Sequence, residues 1–355
     1  MKKINLNVPL NNTGYGVASW NIFKELLKEH YDITLFPIGN GYADNEEDML
    51  LAQEASQKVL DCDLDAPLLK IWHQFDLLSR TSRGRYFALP FFELDKFNAL
   101  EQKHLTAPDC VFVTSEWAKQ VVLRETKQTN VEVVPLGVDN SIFYPVDVIE
   151  NDAYKFFNIG KWEIRKGHDF LLKLFQTAFP DETDVELHVL ASETTNGYSD
   201  PSELYRWKSL YLSDNRVRLL PGLQSHADIA NYIATKDCGI FPSRAEGWNL
   251  ELLESMAMGK PVITTNYSAH TEFCDNKNSY LVDIAETEPA VDGKAFKGQG
   301  SWAKIGSDQF DQLVSHMRDC YSNRVRANPA GLETANRFGW NNTVGCITRY
   351  IRKYS

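Results

Sequence analysis

Short apolar segments alternate with longer amphipathic segments along most of the chain. In the first part, the short segments rich in β-branched or aromatic residues are INLNV (4–8), ITLF (33–36), LLKIW (68–72), RYFALPF (85–91), CVFVT (110–114) and VEVVP (131–135). The longer segments between them have helical periodicity. This alternation is typical of βαβ units and predicts a parallel sheet covered by helices.

The same pattern starts again in the second half of the chain. Its apolar segments are KFFNIG (155–160), VELHVL (185–190), RVRLL (216–220), CGIFP (238–242) and PVITT (261–265). Between the two series, residues 135–155 contain two prolines, one glycine and four acids, which is typical of a linker. We therefore predict two doubly wound α/β domains, at residues 1–150 and 151–339.

The last part of the chain is less regular. Residues 284–307 have little periodicity and several glycines, so we predict a long loop before a helix that begins near Gln309. A final helix is predicted from about Trp340 to Tyr354.

Composition narrows the classes of partner. The 355 residues include 37 Lys and Arg against 48 Asp and Glu, a formal net charge of −11. This charge disfavours general binding to nucleic acid or anionic lipid. Weak membrane association through Trp20, Lys24 and Lys28 is the most that the first predicted helix suggests, and an ordinary amphipathic face explains that stripe equally well. The oligomeric state stays open.

Cysteine usage and hydropathy bear on the compartment. The six cysteines are scattered, with no CxxC pair and no histidine at metal-ligand spacing, so we expect reduced thiols and no metal site. No apolar run reaches the roughly 18 residues of a membrane helix, and the start of the chain lacks the apolar core of a signal peptide. We expect a cytoplasmic protein.

A glycine-containing turn follows the first predicted strand. Gly14 and Gly16 in NNTGYGVASW stand where free backbone N–H groups and a helix dipole can hold an anion. The dinucleotide fingerprint is incomplete, because Ser19 stands where its third glycine would be. A plain strand-to-helix turn is the alternative.

The second half contains cations and acids at strand ends. Lys161, Arg165 and Lys166 follow the strand NIG and would suit a diphosphate, or they are solvated loop charges. Glu246 lies before a predicted helix and Glu254 lies within it, where carboxylates could accept hydrogen bonds from sugar or ribose hydroxyls. Alternatively, Glu246 complements the helix N-terminus and Glu254 is an exposed helix acid.

Four segments together resemble a known family. FPSRAEGWNLELLESMAMGKPVITTN is similar to the E-x7-E segment of retaining GT-B glycosyltransferases of the large family-four class, and NIGKWEIRKG resembles their diphosphate loop. VVPLGVDNSIFYP resembles the linker signature, and DCVFVTSEWAKQVV resembles the strand and helix before it. The resemblance implies an α/β GT-B fold with two Rossmann-like domains facing across a cleft and the helix at 340–355 packing back on the first domain.

The resemblance also implies an activity and roles for residues. A hexose would move from a nucleoside-diphosphate sugar to an acceptor hydroxyl with retention, without a metal or other cofactor. Lys161 and Lys166 would bind the diphosphate, Glu246 the sugar hydroxyls and Glu254 the ribose. Gly14 and Gly16 would approach the diphosphate or the acceptor. The remaining donor-binding residues that the resemblance implies are Gly247, Trp248 and Asn249.

Two segments depart from the family pattern. Ser268 and Ala269 stand where a Gly-Gly turn is usual before an acid, here Glu272, which leaves the diphosphate contacts of this loop open. At the end of an N-domain strand where members often have a histidine, this chain has Glu93, which we expect to face the acceptor. His73 is the other candidate for that place.

Rival interpretations remain. Asp61, Asp63 and Asp65 resemble a metal-binding DxD motif, but their position before LLKIW favours surface charges. A sugar-nucleotide epimerase or a non-catalytic binder would use the same second domain, and an NAD-dependent oxidoreductase would rest on the glycine turn alone. The donor base, the donor sugar and the acceptor, a glycan, a lipid-linked sugar or a similar molecule, stay open.

Overall fold

A computed structural model describes residues 2–147, 152–192, 201–223 and 225–354. The chain divides into a first unit, Met1–Gly137 with Phe338–Ser355, and a second unit, Val138–Arg337. Residues 138–147, predicted in the first domain, thus belong to the second unit, while the exact domain limits stay a prediction. Of the predicted linker, residues 148–151 lie outside the described residues.

The first unit is a Rossmann-like layer of parallel strands with helices around it. The described strands are β1 (Lys2–Val8), β2 (Tyr31–Pro37), β3 (Leu68–Lys70), β4 (Tyr86–Ala88), β5 (Cys110–Val113) and β6 (Val131–Val133), in the order β2-β1-β3-β4-β5-β6. The helices are α1 (Gly14–Lys28), α2 (Glu46–Gln57), α3 (Ala99–Thr106) and α4 (Glu116–Glu125). Strands β4 and β5 are buried along their whole length, which explains their continuous apolar sequences.

The second unit has the same architecture. Its described strands are β7 (Tyr154–Lys161), β8 (Val185–Ser192), β9 (Val217–Leu220), β10 (Cys238–Phe241), β11 (Val262–Asn266) and β12 (Tyr280–Asp283), in the order β12-β11-β10-β7-β8-β9. The helices are α5 (Leu171–Ala178), α6 (Pro201–Tyr211), α7 (His226–Ala234), α8 (Leu250–Ala257), α9 (Ser307–Ser322) and α10 (Pro329–Arg337). Every strand predicted from the sequence is present, and β12 is an additional one.

The stretch at 284–307 is not a loop. It forms an antiparallel hairpin of β13 (Thr287–Val291) and β14 (Lys297–Ala303), so the loop prediction is wrong. Trp302 is buried, and the N–H of Ala303 donates to the carbonyl of Arg244 over 2.9 Å. One buried aromatic and contacts to a distant segment stabilise this hairpin, and neither produces periodicity in the sequence.

The last helix, α11 (Trp340–Tyr354), belongs to the first unit. Its buried face includes Val344 and Ile347, and Thr343 donates to the carbonyl of Pro135 over 2.8 Å. A Cβ at Gly137 would lie 2.4 Å from the backbone nitrogen of Trp340, so only glycine permits this approach. The linker signature thus contains Pro135 and Gly137, two residues that the returning helix contacts.

Candidate active site

The strand order of the second unit determines where a ligand can bind. Strands β7 and β10 are neighbours, and from them the chain proceeds toward opposite edges of the sheet. In open α/β sheets a crevice forms at this switch point, outside the carboxyl ends of the two strands. Lys161 is the last residue of β7, the loop after it holds Lys166, and the loop after β10 holds Glu246. The predicted cations and the first predicted acid therefore lie at the two neighbouring strand ends that border one crevice.

Two glycines shape the loop after β7. A Cβ at Gly160 would lie 2.6 Å from Cδ of Lys166, so the lysine side chain crosses the strand end where a side chain is missing. Gly167 has φ +83°, a left-handed conformation that favours glycine. Lys166 is buried by this packing, whereas Lys161 is half-buried. The solvated-loop interpretation is therefore wrong for Lys166.

Glu246 is the centre of a buried ion cluster. Its Oε2 accepts from Arg165 over 2.7 Å, and its Oε1 lies 3.1 Å from Nζ of Lys166. The hydroxyl of Ser243 also donates to Oε1 over 2.7 Å. Only 4% of Glu246 is exposed, so these contacts replace water almost completely.

The cluster keeps its members charged. Burial alone would raise the pKa of Glu246, but Arg165 and Lys166 outweigh it and hold the pKa far below its ordinary value. Burial lowers the pKa of Lys166, but Glu246 and Glu251 more than compensate and raise it. A carboxylate and two cations therefore persist in the crevice at neutral pH.

The loop that starts α8 is held by polar contacts with the segment after β11. Asn249 has φ +84°, and its side chain accepts from the N–H of Leu252 while its amide group donates to Nε2 of His270 over 2.9 Å. On the other side of the ring, Nδ1 of His270 donates to the carbonyl of Thr265 over 3.1 Å. Burial lowers the pKa of His270 to about 4, so the ring is neutral at neutral pH.

Ser268 explains one departure from the family pattern. The residue has φ +54°, as the usual glycine would permit, and its hydroxyl accepts from the N–H of Glu246 over 2.8 Å. A glycine could not make this hydrogen bond. Ser268 therefore fixes the backbone of the Glu246 loop.

Glu254 differs sharply from Glu246. It lies in α8 and is 6% exposed, so the interpretation as an exposed helix acid is wrong. Among the described residues, its carboxyl group makes no hydrogen bond or ion pair. Burial and the charge of Glu251 raise the pKa of Glu254 well above its ordinary value. Such a group lacks the hydrogen-bonding partners that buried polar groups normally have.

The other predicted donor residues line the same loop. Gly247 and Trp248 are buried, and the Trp248 ring lies 4.8 Å from the ring of Phe273. The structure therefore brings Lys161, Lys166, Glu246, Glu254 and Gly247–Asn249 to one end of the second sheet.

The predicted residues of the first unit meet at the switch point of its own sheet, where β1 and β3 are neighbours. The hydroxyl of Tyr15 donates to the carbonyl of Phe91 and accepts from its N–H, both over 2.8 Å. The ring of His73 lies 4.6 Å from that of Tyr15. Burial and the negative charge of Glu93 raise the pKa of Tyr15. His73 and Glu93 thus both lie near Tyr15, and both are half-buried.

The two glycines of the turn after β1 have different surroundings. Nothing lies within 4 Å of a Cβ built on Gly14, whereas a Cβ on Gly16 would lie 2.2 Å from the carbonyl oxygen of Asn11. Gly16 is therefore required by packing within the turn itself, and only Gly14 leaves open space beside the helix start.

The remaining candidates lie on the surface or in the core. Asp61, Asp63 and Asp65 are exposed, and Asp63 pairs with Lys3, as the surface-charge interpretation predicts. The described residues contain no group of three His, Cys, Asp or Glu side chains arranged to hold a metal ion. On α1, Trp20 is buried and donates to the carbonyl of Tyr42 over 2.7 Å. No helix within the described ranges combines the length and apolarity needed to cross a membrane.

Several site residues were not predicted as such. The sequence indicates Arg165 only as one of three loop cations, and it gives no role to Ser243 or His270. Their contacts join segments that are far apart in sequence, such as Arg165 with Glu246. The periodicity of apolar residues carries no information about such contacts.

Known proteins resemble the chain in sequence and fold. Residues 153–292 match the family described as glycosyl transferases group 1. Over 268 residues the chain is 25% identical to a D-inositol 3-phosphate glycosyltransferase of Mycobacterium tuberculosis, covering 71% of this chain and 50% of that protein. The chain thus spans about half the length of the curated relatives it matches.

Solved structures extend the likeness to the whole chain. A sucrose-phosphate synthase from Thermosynechococcus elongatus has a TM-score of 0.74 at 15% identity, covering 99% of both chains. Anabaena HepE in complex with UDP-glucose has a TM-score of 0.70 at 15% identity, covering 99% of this chain and 100% of that one. The protein therefore has the α/β GT-B fold, built from two Rossmann-like units.

Proposed function

We propose that the protein is a nucleotide-sugar-dependent glycosyltransferase that moves a hexose to an acceptor hydroxyl with retention. The observation that carries this proposal is the arrangement at the β7/β10 switch point. Charged Lys166 and Glu246 lie 3.1 Å apart there, and Glu254 in the following helix α8 is a buried carboxyl group without a described protein partner. The matched family segment, residues 153–292, contains all three residues.

Each group has a task in such a reaction. Lys161 and Lys166 bind the donor diphosphate and neutralise the negative charge that develops on it as the glycosidic bond breaks. Glu246 accepts hydrogen bonds from the sugar hydroxyls, and Glu254 accepts them from the ribose. Hydroxyl donors from the ribose would supply the hydrogen bonds that Glu254 lacks.

The proposal includes no metal or cofactor, because the lysines supply positive charge beside the diphosphate. Gly14 contributes open backbone at a helix start, and Glu93 and His73 are the candidates for contacting the acceptor. The acceptor class is a glycan, a lipid-linked sugar or a similar hydroxyl compound.

A uridine donor is the first to test, because a structural neighbour with the same fold was crystallised with UDP-glucose. Thermal unfolding should be measured with UDP-glucose, UDP-N-acetylglucosamine, GDP-mannose, ADP-glucose and dTDP-glucose. A ligand that binds only the folded state raises the unfolding temperature by mass action. We expect one nucleotide class to raise the unfolding temperature of the wild type and to raise that of Lys166→Met much less.

Turnover separates the transferase from its rivals. With the donor identified, nucleoside diphosphate release that depends on an added acceptor supports a transferase. Interconversion of the donor sugar without acceptor would identify an epimerase, and tight binding without either reaction would identify a binder. A shift with NAD or NADP, and with no sugar nucleotide, would refute the proposal.

A further inference from the structure

Two adjacent cations, Arg165 and Lys166, are held in very different ways. The guanidinium of Arg165 donates over 2.7 Å to the carbonyl of Ala245, to Oε2 of Glu246 and to Oε2 of Glu163. The residue is 6% exposed. Because its donors form a rigid planar fork, the three acceptors fix its position.

The backbone joins the same two loops. The N–H of Arg244 donates to the carbonyl of Arg165 over 2.7 Å. Arg165 is thus attached through both backbone and side chain to the segment that carries Glu246. A diphosphate would have to displace buried hydrogen bonds in order to recruit Nη1 or Nη2 of this guanidinium.

Lys166 has looser contacts. Its ammonium lies 3.1 Å from Glu246 and 3.8 Å from Glu251. An ammonium has three rotatable donors, so it can turn from a carboxylate to a phosphate oxygen without rearrangement of the backbone.

Moving Lys166 to a diphosphate has a consequence for Glu246. A buried carboxylate that loses its only cation is strongly destabilised. Glu246 has a second cation, Arg165, whose bonds do not depend on the ligand. The chain can therefore release Lys166 to the donor while Glu246 stays ionised and in place.

We infer that Arg165 is a positioning residue, which holds Glu246 and its loop in the binding geometry while Lys166 exchanges Glu246 for the donor diphosphate. The inference rests on the proposed function, since it assigns the diphosphate to Lys166. The inference assigns different roles to Arg165 and Lys166, two adjacent cations that the sequence alone does not distinguish.

The titratable groups around Glu246 and Lys166 define the expected pH response. Arg165, Lys166 and Glu163 come from the loop after β7, Glu251 from α8 and His270 from the segment after β11. Without Arg165, burial should raise the pKa of Glu246 toward and above its ordinary range. Donor affinity should then fall at acidic pH in a variant without Arg165, and the wild type should not show this fall.

The first test needs no ligand. Hydrogen exchange of the amides in residues 243–249 is compared between the wild type, Arg165→Met and Arg165→Lys. Arg216→Met is the matched control, because Arg216 is also an arginine with several partners, among them Asp214 and the carbonyl of Phe179. We expect exchange about 10-fold or more faster in Arg165→Met, partial recovery in Arg165→Lys and no selective change in the control.

The second test uses UDP-glucose and UDP as probes, or the corresponding pair for the nucleotide that stabilises the wild type. At pH 7.5, Arg165→Met should lower the affinity for UDP-glucose about 10-fold and the affinity for UDP by less than about 3-fold. Lys166→Met should lower both affinities by similar factors. Between pH 7.5 and 5.5, affinity for UDP-glucose should fall further in Arg165→Met alone, and Arg165→Lys should recover part of the loss.

The two proposals fail in different ways. If Arg165→Met weakens UDP as much as Lys166→Met does, Arg165 is a diphosphate ligand and the positioning role is wrong. Unchanged exchange in residues 243–249 also overturns it. If no sugar nucleotide binds the wild type, the proposed function fails, and the exchange experiment still decides whether Arg165 holds the loop.

Discussion

Glu254 is deeply buried and has no described protein partner. A substitution at this position can therefore affect ligand binding without affecting stability. Burial and the charge of Glu251 raise the pKa of this carboxyl group and so favour its protonated form. Glutamine has the shape and charge of that protonated form. Glu254→Gln should therefore change the free energy of unfolding at pH 7 by less than about 0.5 kcal/mol.

The same substitution should weaken nucleotide binding about 10-fold, because a ribose hydroxyl would meet an amide N–H instead of a second oxygen. Calorimetric titration with the donor nucleotide measures the affinity, and urea unfolding measures the stability. Glu333→Gln, an exposed acid in α10 of the same unit, controls for loss of charge. Equal affinities in the two variants would contradict a ribose contact at Glu254.

At the scale of single residues, the sequence predicts the conspicuous groups better than their supports. Lys166 and Glu246 both follow predicted strands, where ligands bind in open α/β sheets, and the structure shows that these two strands are neighbours. The hydrogen bond from Glu246 to Ser268 could not be predicted, because it depends on the left-handed backbone of one residue in a distant turn. The departure from the family pattern indicates that this turn is unusual, but only the structure shows the hydrogen bond that results.

The start of α1 offers a matched pair of glycines for a test of helix entry. A Cβ at Gly16 would lie 2.2 Å from the carbonyl oxygen of Asn11, whereas one at Gly14 would meet nothing within 4 Å. Gly16→Ala should therefore destabilise the first unit by about 2 kcal/mol or more, since the clash involves backbone. Gly14→Ala should be neutral or stabilising by up to about 1 kcal/mol, because it restricts the unfolded chain.

Urea unfolding monitored by fluorescence compares the two alanine variants with the wild type. The single methyl group is the same in both, so the difference between them isolates its surroundings. Similar losses in both variants would mean that the packing of Asn11 on Gly16 does not determine the stability of this turn.

At the scale of elements, buried strands were predictable and the polar hairpin was not. Strands such as β10 are buried on both faces, so continuous apolar sequences identify them. In β14, KGQGSWA, only the last two residues are buried, and Gly298 and Gly300 have positive φ. A glycine-rich, largely polar strand is indistinguishable from a loop by periodicity.

At the scale of the whole molecule, alternation of strands and helices predicts parallel sheets but not the order of their strands. The order decides which loops are neighbours: in the second unit, β7 lies beside β10 although more than 70 residues separate them in sequence. The prediction contains no strand order, and only the resemblance to a family assigns the cations and the acids to one ligand. Local patterns alone would have left the cations and the acids on unrelated loops.

The ionisable groups of the second unit also predict how its stability depends on pH. Among the described residues of this unit, burial lowers the pKa of His168 to about 3 and those of His188 and His270 to about 4. Near pH 5.5 the unfolded chain therefore binds about three protons at these histidines that the folded unit does not bind. Glu254 acts in the opposite direction, because its raised pKa lets the folded unit hold a proton to a higher pH than the unfolded chain does.

The three histidines should make stability fall as the pH is lowered below about 6.5, by about 1.4 kcal/mol per pH unit for each extra proton that the unfolded chain binds. Glu254→Gln removes the opposing group and should steepen this fall, whereas His270→Gln should make it shallower. Urea unfolding of the second unit, measured at several pH values, gives the slopes, and equal slopes in all three proteins would show that these buried groups titrate alike in the folded and unfolded chains.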